Sequence, residues 1–247
     1  MIVRLREARL LWPAAMTLAG LAALAGLGVW QVERKAWKEG LIARLAARTK
    51  AEPVTLAAAL EEWSRTGDVE YLRVTARGRY FHDKERFVYA PDPELGPGYH
   101  VYTPLEVAPG GAVLLVNRGY VPEAKKDPES RKAGRLAGEV EITGLARRPG
   151  SKGFFTPDND TARNLWFWRD LSGMLASAFG DAGRPHAPFF LEAEAREVPG
   201  GWPRGGVTLI DLPNRHLEYA ITWFGLAAAL LAVFTAYAVS RLREPKA

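Results

Sequence analysis

The chain has 247 residues, with 33 Lys and Arg against 28 Asp and Glu and a formal net charge of +5. So small an excess does not indicate the concentrated basic surface of a nucleic-acid-binding protein, and we expect no nucleic-acid partner. The chain contains no cysteine. Disulfides, thiol catalysis and cysteine-ligated zinc or copper are therefore excluded.

Both ends of the chain are apolar. Residues 10–29 and 219–239 contain no charged side chain, and at about 1.5 Å per residue each stretch is long enough to cross about 30 Å of bilayer hydrocarbon. We therefore predict a membrane protein of the α+β class that is anchored in the lipid bilayer near both termini. The predicted parts are a tail at 1–9, a transmembrane helix at 10–30, an extramembrane domain at 31–212, a second transmembrane helix at 213–240 and a tail at 241–247.

The charges of the tails predict the topology. Six basic residues occur in them: Arg4, Arg6, Arg9, Arg241, Arg243 and Lys246. By the positive-inside rule, both termini are expected in the cytoplasm and the domain on the outer, periplasmic side of the inner (cell) membrane. Arg34, Lys35 and Lys38 follow the first span and argue weakly for the reverse, but long translocated loops tolerate such charges.

The first span has an alternative interpretation as a cleaved signal peptide. A basic front, an apolar stretch and the triplet Ala23-Leu24-Ala25 fit that pattern. However, the apolar stretch exceeds the usual length of about 7–15 residues, and Trp30 at its outer end suits an interfacial anchor. A retained anchor is therefore favoured.

Helical spacing continues beyond the first span. Trp30, Trp37, Leu41 and Leu45 recur at intervals of seven and four. We therefore expect the first helix to extend out of the membrane or to bend at its surface. A short alanine-rich helix is predicted at 56–63.

Strands dominate the middle of the chain. At 71–77 apolar and polar residues alternate, which is the period of a half-buried strand, and Gly78 is expected to end it. Further short strands are predicted at 86–90, 99–103, 112–117, 139–143, 165–169 and 189–193. The middle is therefore predicted to be one antiparallel β-rich extramembrane domain.

One helix interrupts these strands. Asp170 can cap a run whose apolar residues lie on one face, and Gly180 can end it. That face is formed by Leu171, Met174, Leu175, Ala178 and Phe179. In contrast, 125–135 is a charged, proline-containing stretch without periodicity, and we expect a solvated and mobile loop there.

No catalytic motif is present. The sequence lacks the patterns of metalloproteases, P-loops, G-x-S-x-G hydrolases and dinucleotide-binding folds, so we assign no catalytic residue and do not expect an enzyme. The carboxylate pairs Asp92/Glu94 and Asp158/Asp160 are expected to form turns, because Asp bonds readily to nearby backbone. A membrane-anchored exported enzyme of unknown reaction stays as an alternative, since folding could bring together a cluster that sequence does not reveal.

His216 is the residue with the clearest potential for chemistry. The preceding stretch 211–214 contains Asp, Pro and Asn, which are typical of helix starts, so His216 is expected in the first turns of the second membrane helix. Tyr219 and Trp223 follow at i+3 and i+7 and form a stripe that could cover a flat apolar ligand. A neutral imidazole is a common ligand of haem iron. The alternative is an interfacial histidine within an aromatic belt.

The other three histidines are expected to be structural or solvated. His100 lies in a predicted strand, while His82 and His186 lie in polar or proline-bounded loops. The first span contains no histidine. A haem in this chain would therefore have one axial histidine.

Several segments carry a family resemblance, in order along the chain. They are GVWQVERKAWKEGLI at 28–42; Tyr71, Val74 and Gly78; GYHVYTPL at 98–105; VNRGYVP at 116–122; WFWRD at 166–170; and PNRHLEYAITWF at 213–224. Together they resemble the Surfeit locus protein 1 family, the membrane assembly factors of haem-copper cytochrome c oxidase. The resemblance covers nearly the whole chain, with Tyr120 where the family more often has Trp.

The resemblance implies a function in building the respiratory chain. The family helps to assemble the catalytic subunit of the oxidase, by binding haem a or by holding the apo-subunit ready for it. It also implies that His216 is the suspected haem iron ligand. The expected partners are the oxidase catalytic subunit and the enzyme that makes haem a. A purely structural chaperone of the oxidase subunit, without haem binding, stays as an alternative.

Overall fold

The computed structural model describes residues 10–108, 110–180, 184–207 and 213–243. The chain divides into two compact units. The first, which we call the helix pair, comprises Met1–Arg44 and Asp211–Ala247, and the second, which we call the β domain, comprises Leu45–Ile210. The α+β class is confirmed: two long apolar helices accompany a β-rich domain.

Two long helices occur near the ends of the chain. Helix α1 spans Leu11–Lys50 and helix α4 spans His216–Arg243. Both are long and apolar enough to cross a membrane, and only 6% of the most apolar window of α4 is buried. A helix of a soluble core would hide that surface, whereas a lipid-facing helix leaves it exposed. The predicted extension of the first helix beyond the span is confirmed, since α1 continues for 40 residues.

The described residues of the β domain form eight strands and two shorter α-helices. The strands are β1 (Val54–Thr55), β2 (Arg73–Tyr80), β3 (Arg86–Tyr89), β4 (Gly98–Val107), β5 (Val113–Pro122), β6 (Glu139–Arg147), β7 (Leu165–Trp166) and β8 (His186–Ala193). The helices are α2 (Leu56–Thr66) and α3 (Leu171–Phe179). Every predicted strand is present with shifted ends. The predicted helix at 56–63 is also present, one turn longer and capped by the Thr55 hydroxyl.

The sheet closes on itself. Its strand order is β1-β2-β6-β8-β5-β4-β3-β7, with an additional pairing between β2 and β4, so β2, β6, β8, β5 and β4 form a ring. Gly78 lies at the closure, where a Cβ atom would be 2.1 Å from the Glu106 carbonyl oxygen. The expectation that Gly78 ends its strand is therefore wrong, because the missing side chain lets β2 continue past Gly78 and reach β4.

The pairing is mostly but not wholly antiparallel. Strand β1 pairs with β2, β3 with β7 and β5 with β8 in parallel, while the other pairs are antiparallel. The prediction of a mostly antiparallel, β-rich domain is therefore confirmed, with three parallel pairs beside the antiparallel ones. Strand β8 follows a connection that contains a helix, and it lies between β5 and β6. A long connection of this kind allows β8 to pair in parallel with β5.

Alternate residues of the central strands face two separate cores. Leu114 and Val116 pack in the larger cluster with Phe189 and Leu191, whereas Leu115 packs in a second cluster. Successive side chains of a strand point to opposite faces, so the two clusters lie on the two sides of the sheet. Because both faces of the sheet are covered, the central strands have continuous apolar sequences.

Helix α3 covers the second cluster. It spans Leu171–Phe179 as predicted, and the Asp170 side chain accepts a hydrogen bond from the Gly173 backbone N–H. Met174 is fully buried with Trp166 and Phe190. This geometry confirms both the predicted cap and the predicted apolar face.

Met174→Asp is expected to destabilise the β domain strongly. The substitution places a carboxylate without a counterion in an apolar core, at a cost of several kcal/mol, while a whole domain is stable by only about 5–15 kcal/mol. Ala176→Asp on the exposed side of the same helix is the matched control. Thermal unfolding followed by circular dichroism should show a large fall in melting temperature for Met174→Asp only. Equal melting temperatures for the two variants would contradict the assigned face.

The charged stretch 125–135 is not the solvated loop that its composition predicts. It contains two short 3-10 helices, Glu123–Lys125 and Pro128–Gly134. Arg131 is buried against Glu85, which also pairs with Arg118, and Arg118 donates to the Gly134 carbonyl oxygen. The expectation is therefore wrong at Arg131 and Gly134, because a buried carboxylate distant in sequence fixes this stretch to the domain.

Candidate functional site

His216 is the first residue of α4. The predicted position at the start of the second long helix therefore agrees with the structure. Of the two residues in 211–214 that could cap this helix, Asn214 does not, because its buried Oδ1 has no hydrogen-bond partner. The other, Asp211, lies outside the described residues.

The imidazole of His216 is held by Gln31 of α1. Its Nδ1 lies 2.7 Å from the Gln31 Oε1, and Gln31 is buried. Because an amide oxygen only accepts hydrogen bonds, Nδ1 carries the proton and donates it. In the neutral tautomer with this hydrogen bond, the lone pair is on the other ring nitrogen, Nε2. A metal-binding histidine has this arrangement, with one nitrogen fixed by a hydrogen bond and the other free to act as ligand.

The two helices meet along a seam with three- and four-residue spacing. On α4 the residues shielded from solvent include His216, Ala220, Trp223, Ala227 and Leu230. On α1 they include Thr17, Gly20, Leu24, Gly28 and Gln31. A Cβ atom on Gly20 would lie 2.9 Å from Leu230, and one on Gly28 would lie 2.6 Å from Phe224. Small residues thus permit close, antiparallel packing, as in many membrane helix pairs.

Gly28→Leu is expected to force the helix pair apart. A side chain there would overlap the Phe224 ring, whereas a Cβ atom on Gly26 meets nothing within 4 Å, so Gly26→Leu is the control. Spin labels at the exposed positions Met16 and Val233 report the separation of the helices by pulsed electron resonance. The distance should lengthen or broaden for Gly28→Leu alone. An unchanged distance would show that the close contact at Gly28 does not hold the pair.

The predicted aromatic stripe is divided between two environments. Trp223 is half-buried on the seam with His216, whereas Tyr219 is 53% exposed. Ala220, one turn after His216, is the buried residue. Tyr219 is therefore available on the outer surface of α4, beside the seam rather than within it.

The remaining histidines belong to the β domain. His82 uses both ring nitrogens, one with the Leu136 carbonyl oxygen at 3.0 Å and one with Arg118 at 3.4 Å. Burial lowers the pKa of His82 and of His100, so both favour the neutral form. His186 begins β8 rather than lying in a loop, and its Nδ1 is 3.0 Å from the Arg184 carbonyl oxygen.

The paired carboxylates act in turns as predicted. Asp92 Oδ1 accepts from the backbone N–H groups of Glu94 and Leu95, and the same backbone hydrogen bonds lower the pKa of Asp92. Asp160 Oδ1 accepts from the Arg163 N–H. These groups shape loops, and within the described residues no three His, Asp or Glu side chains converge as metal ligands.

Gln31 is the residue that sequence reasoning missed. The signal that could have revealed it is its place on the stripe of Thr17, Leu24 and Gly28, with intervals of seven, four and three. A polar side chain on an otherwise small and apolar helix face requires a partner, and in a helix pair the partner lies on the other helix.

Comparison with known proteins gives consistent matches over most of the chain. Residues 18–228 match the SURF1 family. Surfeit locus protein 1 of Takifugu rubripes is 38% identical over 234 residues, which are 88% of this chain and 93% of that protein. The human Surfeit locus protein 1 is 37% identical over 220 residues (83% and 70%), and a SURF1-like protein of Drosophila melanogaster is 36% identical over 234 residues (88% and 74%).

Proposed function

We propose that this chain is a membrane-anchored assembly factor for a haem-copper cytochrome c oxidase, because it belongs to the SURF1 family. In this proposal it helps to insert haem a into the catalytic subunit, and it binds and delivers a cofactor without catalysing a reaction. Its partners are the catalytic subunit, the enzyme that makes haem a and the lipid bilayer. The two long apolar helices support the anchor.

The observation that carries the proposal is the contact between His216 and Gln31. It fixes the Nδ1 side of the imidazole and holds the ring at the start of a long apolar helix, so that Nε2 is the ring nitrogen left for a ligand bond. Bound haem a would supply an iron that takes an axial nitrogen, and Nε2 of His216 is a suitable donor. Tyr219 and Trp223 offer aromatic surface for the porphyrin on the same helix.

A single histidine is suited to transfer. His216 would hold the iron of haem a through its Nε2, and the recipient subunit would supply the ligand that replaces it. The described residues of the helix pair contain no second histidine, so release requires the loss of one bond only. A closed site with two ligands would hold the cofactor more firmly than a carrier needs.

The direct test is the absorption spectrum of the purified full-length protein. We expect protein extracted in mild detergent from cells that make haem a to carry the absorption bands of haem a, and protein from cells unable to make it to lack them. Colourless protein that still co-purifies with the oxidase catalytic subunit would instead support the purely structural chaperone. Colourless protein without the subunit would contradict both functions.

The proposed topology has the β domain outside the inner membrane and both termini in the cytoplasm. The chain has no native cysteine, so a single introduced cysteine reports its own location. Lys132→Cys, at an exposed site, should react with a membrane-impermeant maleimide in cells with a permeabilised outer membrane. A cysteine added after Ala247 should react only after lysis. The reverse pattern would overturn this topology.

A further inference from the structure

Two phenylalanines of the β domain are almost completely exposed. Phe154 and Phe155 have 95% and 92% of their surface accessible, and their rings contact each other edge-on with centroids 4.9 Å apart. Exposed apolar residues are common as single side chains, but adjacent aromatic rings at one point form an uncovered apolar surface. Such a surface indicates a binding role.

The backbone presents the two rings at the tip of a turn. The Thr156 N–H donates to the Gly153 carbonyl oxygen at 3.0 Å, so Phe154 and Phe155 are the two central residues of a β-turn. Their side chains therefore project from the tip together. We call Gly153, Phe154, Phe155 and Thr156 the diphenylalanine turn.

The loop below this turn is fixed to the domain. The Gly150 N–H donates to the Arg169 carbonyl oxygen at 2.9 Å, and Asp160 and Leu165 exchange two backbone hydrogen bonds of 2.8 and 2.9 Å. Asn159 adds a side-chain contact, accepting from the Phe167 N–H at 2.8 Å. A loop held at its base in this way presents its tip in a defined place.

The charges near the turn fit an anionic lipid surface. Three basic side chains near the turn in sequence are exposed: Arg148, Lys152 and Arg163. Each pairs with a carboxylate, Glu70, Asp158 or Asp160 respectively, but leaves 41% or more of its side chain accessible to a lipid headgroup. Basic side chains are attracted to the anionic headgroups of a membrane, and aromatic rings partition to the level of those headgroups.

We propose that the diphenylalanine turn inserts into the headgroup region of the bilayer that anchors the chain. The inference rests on the proposed membrane anchoring through α1 and α4. A domain tethered to a bilayer at both ends meets that bilayer at a high effective concentration, so a small apolar tip suffices for contact. The proposed binding partner of the turn is lipid. Two aromatic rings flanked by basic residues match the chemistry of the membrane–water interface, and lipid binding needs no shaped pocket.

The test uses the full-length protein in nanodiscs that contain anionic lipid. A single cysteine with a fluorescent label is placed at exposed Ser151, beside the turn. Quenching is measured with lipids that carry a nitroxide on the headgroup or on the acyl chain. Lys132→Cys is the aqueous control, and Leu231→Cys, on the exposed side of α4, is the membrane control. The Ser151 label is then measured again in the F154S/F155S variant.

We expect headgroup nitroxide to quench the Ser151 label more than the Lys132 label, and this difference to be lost in F154S/F155S. Folding of the double variant is checked by an unchanged melting temperature, since neither ring is buried. An unquenched Ser151 label with a quenched Leu231 label would overturn insertion of the turn and leave the anchor intact. Equal quenching with and without the phenylalanines would also overturn it. An unquenched Leu231 label would instead reject the proposed anchoring.

Discussion

Replacing His216 by Ala is expected to abolish haem a retention by the purified protein while expression and membrane insertion stay unchanged. His216 supplies the nitrogen that is free for iron, and its loss removes the axial bond. Its loss removes one hydrogen bond of the helix pair, that to Gln31, while the close packing at Gly20 and Gly28 that joins the helices is unchanged. The measurement is the ratio of haem absorbance to protein absorbance after purification in detergent.

Variants around His216 separate ligation from packing. Gln31→Leu keeps the imidazole but removes the acceptor of its Nδ1 proton, and loss of such an outer contact typically lowers metal affinity by about 10- to 100-fold. Tyr219→Ala should weaken retention by less, because it removes contact area rather than a bond to iron. His186→Ala, an exposed histidine in β8, is the matched control and should retain wild-type haem.

A His216→Ala protein with the wild-type amount and spectrum of haem a would reject the ligand role. The membership in the SURF1 family would be unaffected, and the function would then be that of a protein chaperone of the oxidase subunit. Loss of haem in both His216→Ala and His186→Ala would also reject a specific role for His216, since it would reflect a general sensitivity to substitution.

Glu85→Gln is expected to be the most damaging single change in the β domain. The side chains of Glu85 and Arg131 are 2% exposed and that of Arg118 is 5% exposed, so solvent does not screen the charges. Removal of the carboxylate leaves two buried guanidinium groups without their counterion, and breaking a buried pair costs about 3–5 kcal/mol. Urea unfolding followed by fluorescence should show a much lower midpoint.

Glu129→Gln is the control for this effect. Glu129 also pairs with two cations, Lys132 and Arg135, but it is exposed. Ion pairs on the surface contribute little because water screens them and the side chains must be ordered. Its midpoint should match that of the wild type. If Glu85→Gln and Glu129→Gln unfolded at the same urea concentration, the buried triad would not stabilise the domain.

Local patterns predicted the elements well, because their causes are local. Alternating apolar residues indicated the strands, and Asp170 and Gly180 marked the ends of α3 because caps act over three or four residues. The boundaries were less accurate. Strand β2 runs beyond Gly78 since its end depends on contact with β4, which lies about thirty residues further along the chain.

Contacts between distant residues were beyond the reach of these patterns. Nothing near Arg131 indicates that Glu85 neutralises it, and composition alone therefore suggested a solvated loop. Similarly, the position of His216 followed from nearby helix-start residues, but Gln31 is 185 residues away. The sequence thus indicated His216 but not Gln31, because Gln31 belongs to the candidate site only through the packing of α1 against α4.

The place of β8 in the sheet has a consequence for synthesis of the protein on the ribosome. It is the last of the described strands to be translated, and it closes the ring between β5 and β6, which are otherwise joined only through β4 and β2. Until residue 193 has emerged, the nascent chain exposes two open strand edges and lacks Phe189, Phe190 and Leu191 of its two apolar clusters, a state prone to aggregation. A premature stop anywhere before β8 should therefore yield a product for degradation rather than a shortened working domain.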